Sequence, residues 1–190
     1  MIVRVPWRGV DRRGERLELR YAERRDAARY LEHMARIVRE TPWMLQGPED
    51  SVPDVAEEQD VLEELARRDN CVCVVAARPG PPPGRQPILG SVTLLGGRGR
   101  RTRHAAELAM GVQQDAWGAG IGSLLMEAAL TWARESPILS RVSLQVFSDN
   151  VVAYNLYRSR GFVDEGVMER HAKWDGRYGD LIGMGLEVGP

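Results

Sequence analysis

The segment Val112–Leu130, VQQDAWGAGIGSLLMEAAL, sets three glycines directly against the start of an apolar helix pattern. Gly118, Gly120 and Gly122 alternate with residues that carry side chains, although glycine loses more conformational freedom on folding than any other residue. A helix start exposes unpaired backbone N–H groups and carries about half a positive charge, which together suit a phosphate. Glycines let the phosphate approach those N–H groups closely. We therefore interpret the segment as an anion-binding loop between a strand and a helix.

The glycine pattern alone is compatible with more than one kind of loop. It differs by Ser123 from the dinucleotide fingerprint G-x-G-x-x-G, which starts directly at a strand end, whereas here residues Gln113–Trp117 intervene after the strand. A Walker loop is excluded because the Gly-Lys-Ser/Thr ending is missing. A tight turn that serves packing alone is the purely structural interpretation. The rest of the chain must therefore indicate which ligand the loop binds.

The composition is that of one globular domain with a sizeable core. The chain has 190 residues, of which 43% are hydrophobic and 28% charged, and a net charge of −1, which argues against a nucleic-acid binder. No apolar run approaches the roughly 18 residues of a membrane span, and the N-terminus lacks the apolar core of a secretion signal. We therefore expect a cytoplasmic protein that binds neither nucleic acid nor membrane.

The two cysteines, Cys71 and Cys73, stand two residues apart in the apolar run CVCV. This spacing suits neither a disulfide pair nor a Cys-x-x-Cys metal clip, because alternate strand residues point the same way. We expect two buried free thiols and no metal.

The hydrophobic patterns along the chain predict the element order β-α-α-β-β-β-α-β-α-β-β. This order indicates the α/β class, with a mixed central sheet of roughly six to seven strands flanked on both faces by about four helices. We expect one domain over residues 1–190, in which residues 1–15 are a short N-terminal extension. Three signals mark element ends: a capping box of Asp54 with Glu57, Gly161 after the last helix, and a final turn at Asp175-Gly176.

Two motifs resemble the GCN5-related N-acetyltransferase (GNAT) family. They are WGAGIG at 117–122 and N-x-x-A-x-x-L-Y-x-x-x-G-F from Asn150 to Phe162, with a predicted strand between them. The similarity extends over nearly the whole chain, from LELRYAERRD to DLIGMGLE. The segments HAAELAMGV, GFVDEGV and DGRYGDLIGMGL are similar to a bacterial subgroup that acetylates small amines or amino acids. The resemblance implies the GNAT fold and acetyl-CoA as co-substrate.

The resemblance also implies which residues bind the cofactor. The family's glycine loop holds the pyrophosphate of acetyl-CoA, and its preceding strand splays so that the pantetheine arm pairs with the backbone. Trp117 stands where the family usually has arginine or glutamine, so we expect the backbone donors to bind the cofactor without the help of that polar side chain. Asn150 is expected to cap its helix and to contact the pantetheine arm. The implied loop is Gly118, Ala119, Gly120, Ile121, Gly122 and Ser123, and the implied strand positions are Met110, Gly111 and Val112.

Acetyl transfer to an amine needs a base and a donor for the leaving thiolate. An alkyl amine has a pKa near 10.4, so its neutralisation at pH 7 costs about 4.6 kcal/mol. Glu107, in the strand before the loop, is the candidate base, through a water relay or with a pKa raised by burial. An exposed or ion-paired glutamate is the alternative, and His104 in the same strand is a second titratable candidate or a surface residue. Tyr157 matches the family's general-acid tyrosine; a short hydrogen bond or a proton transfer to the leaving thiolate is feasible, and a core tyrosine is the alternative.

The acceptor side is less well defined by the sequence. Glu40 is a candidate for the substrate ammonium or a solvated helix-end charge, and Trp43, Met44 and Trp174 are candidates for an apolar pocket wall. Asp180 resembles a position that the subgroup favours, without an assigned role. Acidic residues that suit a polyamine or simply form solvated helix faces are Glu49, Asp50, Glu57, Glu58 and Asp60.

These observations predict an acetyl-CoA-dependent N-acetyltransferase that acts by direct transfer, because no suitably placed cysteine or serine nucleophile is apparent. The expected partners are a small primary amine or amino acid and, in a homodimer, a second copy of the chain. Acetylation of a protein N-terminus or ribosomal protein and a non-catalytic CoA-binding sensor are the alternatives, and an NAD-binding domain is a more distant one.

Overall fold

The computed structural model describes residues 2–189 and contains an eight-stranded sheet with four α-helices over that range. The strands are β1 Trp7–Val10, β2 Arg16–Tyr21, β3 Cys71–Ala77, β4 Ile88–Gly96, β5 Ala105–Val112, β6 Arg141–Phe147, β7 Val163–Trp174 and β8 Arg177–Glu187. The helices are α1 Ala27–Glu40, α2 Val55–Arg67, α3 Ile121–Glu135 and α4 Val151–Ser159, with 3₁₀ turns at Arg24–Asp26 and Gln114–Ala116. The predicted α/β class is confirmed.

The sheet has the strand order β1-β2-β3-β4-β5-β6-β8-β7, and β5–β6 is its parallel pair. It has more strands than the six to seven predicted, because β1 forms within residues 1–15, which were expected to be an extension. β1 has only four residues, too few for alternation to give a clear strand signal. Its pairing with β2, Trp7 opposite Leu19, is a tertiary contact that the local pattern does not contain.

The two faces of the sheet are covered by different helices. Alternate residues of β3, Val72 and Val74, pack on the face that carries α3. Cys73 and Val75 pack on the opposite face with α1 and α2. Both cysteines are free and buried, as predicted. The core therefore lies in two layers, one on each side of the sheet.

The predicted element ends are confirmed by their hydrogen bonds. Asp54 Oδ1 accepts from the Glu57 N–H at 2.9 Å, and Glu57 Oε2 accepts from the Asp54 N–H at 2.9 Å. Asn150 Oδ1 accepts from the Ala153 N–H at the start of α4, at 3.2 Å. Gly161 ends α4 with φ +94°, in the left-handed region that favours glycine.

The parallel pair β5–β6 is paired only at one end. The strands have eight and seven residues, but the ladder covers three positions and ends where Glu107 lies opposite Ser143. Beyond that point β5 and β6 separate, while β5 stays paired with β4 and β6 with β8. A wedge-shaped cleft therefore opens in the middle of the sheet, and the glycine-rich segment follows the wide end of its β5 wall.

Over residues 2–189, no helix combines the length and apolar character that crossing a bilayer requires.

Candidate active site

The ladder between β4 and β5 determines which backbone groups face the cleft. Gln113 N donates to the Leu89 carbonyl at 2.9 Å, so these two residues form a hydrogen-bonded pair of the ladder. The backbone groups of an antiparallel strand point alternately toward its two neighbours. Met110 and Val112 therefore direct their N–H and C=O groups into the cleft, beyond the last position at which β6 pairs with β5.

Gly111 has a different role from the cofactor contact that the resemblance implied. It lies opposite Ser91 in the ladder, and the alternation directs its backbone groups toward β4. A Cβ at Gly111 would come within 2.6 Å of Ile37 Cδ1. The missing side chain is thus required for the close approach of α1 to the sheet, and the backbone of Gly111 is withdrawn from the cleft.

The glycine loop needs glycine for its backbone conformation at two positions. Gly118 has φ +77°, and Gly120, the N-cap of α3, has φ +81°. Both values lie in the left-handed region, which side chains make costly. The first N–H groups of α3, which begins at Ile121, have no partner within the helix. The loop therefore presents bare amide donors beside the wide end of the cleft.

The carbonyl groups of the loop point the other way, toward the turn between β1 and β2. Arg12 N donates to the Ala119 carbonyl at 3.0 Å. Arg13 Nη1 donates to the Asp115 carbonyl at 2.8 Å, and its Nη2 to the Trp117 carbonyl at 2.5 Å. The Ala119 N–H is used by the Ala116 carbonyl at 3.4 Å. The N–H groups of Ile121, Gly122 and Ser123, at the start of α3, stay available for an anion.

Trp117 replaces the expected arginine or glutamine and makes a contact within the chain. Its Nε1 donates to the Val112 carbonyl at 2.7 Å, and the side chain is 40% exposed. This bond ties the first loop residue to the last residue of β5. The Val112 carbonyl is thereby used, which leaves the Met110 N–H and C=O and the Val112 N–H for a ligand in the cleft.

Gly122 marks the place where α3, β5 and α4 meet. A Cβ at this position would lie 3.7 Å from Leu156 Cδ2 and 3.8 Å from both Met110 Cε and Val112 Cγ2. These are ordinary van der Waals distances, so the three elements converge here without conflict. The start of α3, the free backbone of β5 and the middle of α4 therefore belong to one site.

A recess of about 440 Å³, lined by two arginines and by Asp11 and Glu127, lies beside the glycine loop. Its lining includes Arg12, Gly120, Ser123 and Arg160. The Arg160 Nε is buried without a hydrogen-bond partner, and the nearest carboxylate oxygen, Glu127 Oε2, is 3.8 Å away. The recess lies on the side of the turn between β1 and β2, where two guanidinium groups face two carboxylates, so it has no excess positive charge.

Tyr157 lies on α4, in the core layer that includes α3. It is 7% exposed, and its ring packs at 6.0 Å from the ring of Phe162. Burial raises the pKa of Tyr157 to about 12, because the apolar surroundings disfavour the phenolate. The side chain is therefore a protonated hydrogen-bond donor at physiological pH, next to the turn of α4 that meets α3.

Glu107 lies at the narrow end of the cleft, on the face opposite Tyr157. It is exposed and occupies the last paired position of β5–β6, opposite Leu95 of β4 and Ser143 of β6. The sheet is uncovered around it, since Leu95 is 48% exposed and Gln145 of β6 is also exposed. The sequence analysis did not name Leu95 or Gln145. Only Leu95, an apolar residue at the end of β4, had a sequence feature that pointed to it.

His104 is exposed and lies in the turn before β5, which corrects its predicted place in the strand. Its carbonyl accepts from the Ser140 N–H at 2.9 Å. The backbone of His104 thus extends the pairing of β5 and β6 at its closed end.

Glu40 is engaged inside the protein. Its Oε1 accepts from Arg36 Nε at 2.5 Å, and its Oε2 accepts from the Gln114 N–H at 2.7 Å. One oxygen thus pairs within α1 and the other holds the turn after β5, so Glu40 is neither a solvated helix-end charge nor a free ammonium-binding group.

The predicted aromatic side chains converge on the end of β6. Trp43 Nε1 donates to Asp149 Oδ1 at 3.0 Å, which connects the loop after α1 with the start of α4. Trp174 packs edge-on against Phe147, with ring centroids 5.6 Å apart. Met44 lies half-buried next to Trp43 in the chain. These side chains frame the wide end of the cleft on the face that carries α1.

The acidic residues do not form one patch. Glu57 caps α2, Asp60 pairs with Arg24 at 2.7 Å, and Glu49 and Asp50 are exposed in the loop before α2. Glu58 is 7% exposed, and burial raises the pKa of its carboxyl. Their separate surroundings give no support to a polyamine-binding surface.

Asp180 has a structural role that the sequence did not indicate. Its Oδ1 accepts from the Arg170 N–H at 2.7 Å, where Arg170 has φ +52° and the register of β7 shifts against β8. Its carbonyl accepts from the Ser148 N–H at 3.0 Å. The Asp180 side chain therefore fixes a bulge in β7, and its carbonyl extends the pairing of β8 with β6. Within residues 2–189, no cluster of three or more His, Cys, Asp or Glu side chains suits a metal ion.

Comparison with known proteins identifies the class of the chain. The Acetyltransferase (GNAT) family profile matches residues 21–162, which contain the splayed strands, the glycine loop and α4. The chain therefore belongs to the GNAT family of acetyltransferases, and it is an enzyme of the acyl-transferring class.

Three relatives show how far the likeness extends. The L-amino acid N-acetyltransferase AaaT of Escherichia coli (strain K12) is 28% identical over 122 residues, which is 64% of this chain and 72% of the relative. The crystal structure of a GNAT-family acetyltransferase from Streptococcus pneumoniae is 32% identical, with a TM-score of 0.84 over 90% of this chain and 99% of that one. The structure of yncA from Salmonella typhimurium with its cofactor acetyl-CoA is 20% identical, with a TM-score of 0.78 over 90% and 94%.

Proposed function

We propose that the protein transfers an acetyl group from acetyl-CoA directly to the primary amine of a small molecule, with amino acids as the favoured class of acceptor. One observation carries the proposal: β5 separates from β6 after Glu107, and its free backbone groups lead to the bare amides at the start of α3. The E. coli relative, an L-amino acid N-acetyltransferase, supports the acceptor class. The solved structure of yncA with acetyl-CoA supports the co-substrate.

The donors and acceptors of the cleft fit the two polar parts of acetyl-CoA. The amides of the loop 118–123 would hold the diphosphate, helped by the positive end of α3. The Met110 N–H and C=O and the Val112 N–H would pair with the amides of the pantetheine arm. Asn150, at the start of α4, would contact the same arm from the opposite wall. Acetyl-CoA, when bound, supplies the thioester carbonyl that the amine attacks.

Tyr157 stabilises the leaving sulfur as a hydrogen-bond donor. A thiol has a pKa of about 8.5, whereas that of Tyr157 is about 12, so full proton transfer in the resting environment is uphill by about 5 kcal/mol. A hydrogen bond to the developing thiolate needs no such transfer. The proton of the thiol comes from solvent after the bond has broken, and Tyr157 keeps its own.

Glu107 takes part in removing the proton from the amine. Its carboxylate is exposed at the narrow end of the cleft, so water reaches it and a relay through water connects it with the ammonium group. Trp43, Met44 and Trp174 form the apolar wall of the acceptor site, which favours amines with an apolar side chain. Glu40 is omitted from this site because both of its oxygens are bonded within the protein.

The proposal is tested by measuring thiol release from acetyl-CoA with a panel of amines, amino acids and peptides. We expect turnover with apolar L-amino acids or small amines and little turnover with peptides. Preference for peptides would instead indicate a protein N-terminal acetyltransferase. CoA binding without turnover on the whole panel would contradict the proposal and favour a sensor. The cytoplasmic location and the homodimer stay predictions, which cell fractionation and light scattering check.

A further inference from the structure

A cluster of polar side chains connects the second half of α1 with the turn that follows β5. Arg36 Nη1 donates to Gln113 Oε1 at 2.9 Å, and its Nη2 lies 2.9 Å from Asp115 Oδ2. Arg36 Nε donates to Glu40 Oε1, and the second oxygen of Glu40 accepts from the Gln114 N–H at 2.7 Å. One arginine and one glutamate thus hold three successive residues of the turn.

The cluster continues into the core through Gln113, which is 7% exposed. Gln113 Nε2 lies 3.4 Å from His33 Nδ1, and His33 Nε2 lies 3.1 Å from Ser91 Oγ of β4. Burial lowers the pKa of His33 to about 4, so the ring is neutral at physiological pH and bonds without a charge. The turn is therefore tied to both α1 and β4.

The glycine loop reaches the core through Ala119 and Ile121, which are 0% and 1% exposed, but its first residue has no such packing. A Cβ at Gly118 would find no atom within 4 Å, so side-chain packing does not hold this part of the loop. Polar contacts hold it from two sides: Arg13 bonds the Asp115 and Trp117 carbonyls, and Arg36 bonds the Asp115 carboxylate. These contacts hold the residues immediately before Gly118, where the chain enters the loop.

We propose that Arg36, together with Glu40, is a positioning residue that directs the glycine loop toward the diphosphate of CoA. Arg36 acts through Gln113 and Asp115 and does not touch the cofactor. The inference rests on the proposed function, in which the loop holds CoA.

The test compares Arg36→Met with Arg29→Met in the full-length protein. Arg29 is a matched control because it lies on the same helix, has the same 39% side-chain exposure and pairs only with Glu32. Calorimetric titration with CoA should show about a tenfold rise in Kd for Arg36→Met and no change for Arg29→Met. Arg36→Lys retains a single point contact and should give an intermediate Kd. Glu40→Gln, which keeps an acceptor for Gln114, should give a smaller rise.

A second measurement separates positioning from general damage to the fold. Acetyl-pantetheine lacks the diphosphate, so Arg36→Met should lower kcat/KM about tenfold with acetyl-CoA and less than twofold with acetyl-pantetheine. If kcat/KM of Arg36→Met falls equally with both donors, or if Arg36→Met and Arg29→Met bind CoA equally well, the inference is overturned while the proposed function stands. Absence of CoA binding in the wild-type protein overturns the proposed function and the inference together.

Discussion

Tyr157 illustrates how one buried residue sets the chemistry that the site can perform. Its phenol is 7% exposed against Phe162, and burial raises its pKa to about 12. The motif in α4 indicated the residue, but the sequence did not contain its environment, since burial depends on how α4 packs on α3. Of the two actions that the sequence left open, the raised pKa favours a hydrogen bond over proton transfer in the proposed mechanism.

Tyr157→Phe removes that hydrogen bond and leaves the packing nearly unchanged. We expect kcat to fall on the order of 10²-fold, while Kd for CoA stays within about twofold because the ring still packs. Because the pKa of about 12 lies far above neutrality, Tyr157 should add no inflection to the pH–rate profile near pH 7. Steady-state rates and calorimetry check these outcomes.

Tyr154→Phe is the control for this variant. Tyr154 lies on the same helix and donates to Asp164 Oδ2 at 2.9 Å at the surface, so its kcat should equal that of the wild type. A kcat of Tyr157→Phe as high as that of Tyr154→Phe would exclude the phenol from the reaction.

At the scale of elements, the sequence predicted the strands, the helices and their ends because those depend on local patterns. The capping box of Asp54 and the glycine after α4 are examples. β1 was missed because its four residues gain their place from pairing with β2. The surroundings of Glu40 were only partly visible in the sequence: Arg36 lies four residues earlier on the same helix, but Gln114 meets Glu40 only through the packing of α1 on the end of β5.

The start of α3 gives a prediction that depends on backbone conformation. Gly120→Val strains a left-handed residue by about 1–3 kcal/mol, and its Cβ would lie 2.9 Å from Arg12 Nε. Because the loop must move to relieve both effects, we expect Kd for CoA to rise about tenfold or more. The protein should remain folded, since the change lies in a loop. Calorimetric titration with CoA and thermal unfolding measure the two outcomes.

Gly176→Val is the control that introduces the same backbone strain at a position away from the glycine loop. Gly176 has φ +74° in the β7–β8 turn, and no atom lies within 4 Å of its Cβ position. It should lose similar stability, roughly 1–2 kcal/mol, and keep wild-type CoA affinity. Equal affinities for Gly120→Val and the wild type would show that the diphosphate does not bind at this loop.

At the scale of the whole molecule, the site exists because distant segments meet. The turn between β1 and β2 holds the segment before the loop through Arg13, more than a hundred residues earlier in the chain. Helix α1 holds the same segment through Arg36 and Asp115. The motifs indicated that residues 117–122 bind an anion. They contained no information on these two supports, because neither has a fixed spacing from the glycines.

The same packing makes the global stability depend on pH through His33. The residue is 1% exposed, and burial lowers its pKa from 6.5 to about 4. Between about pH 4 and 6.5, His33 therefore binds a proton in the unfolded chain but not in the folded chain. His33 contributes stability that is present above about pH 6.5 and is lost as the pH falls through about 4, with a full effect of about 3 kcal/mol.

Urea unfolding of the wild type and of His33→Gln, carried out between neutral pH and about pH 4, measures this effect. We expect the free energy of unfolding of His33→Gln to be lower at neutral pH, since two hydrogen bonds change, but to fall less steeply toward acid pH. His171→Gln is the control, because His171 is exposed on β7 and its removal should leave the wild-type slope unchanged. Parallel slopes for all three proteins would mean that His33 has the same pKa in the folded and the unfolded chain, so that it takes up a proton in the folded protein as the pH falls.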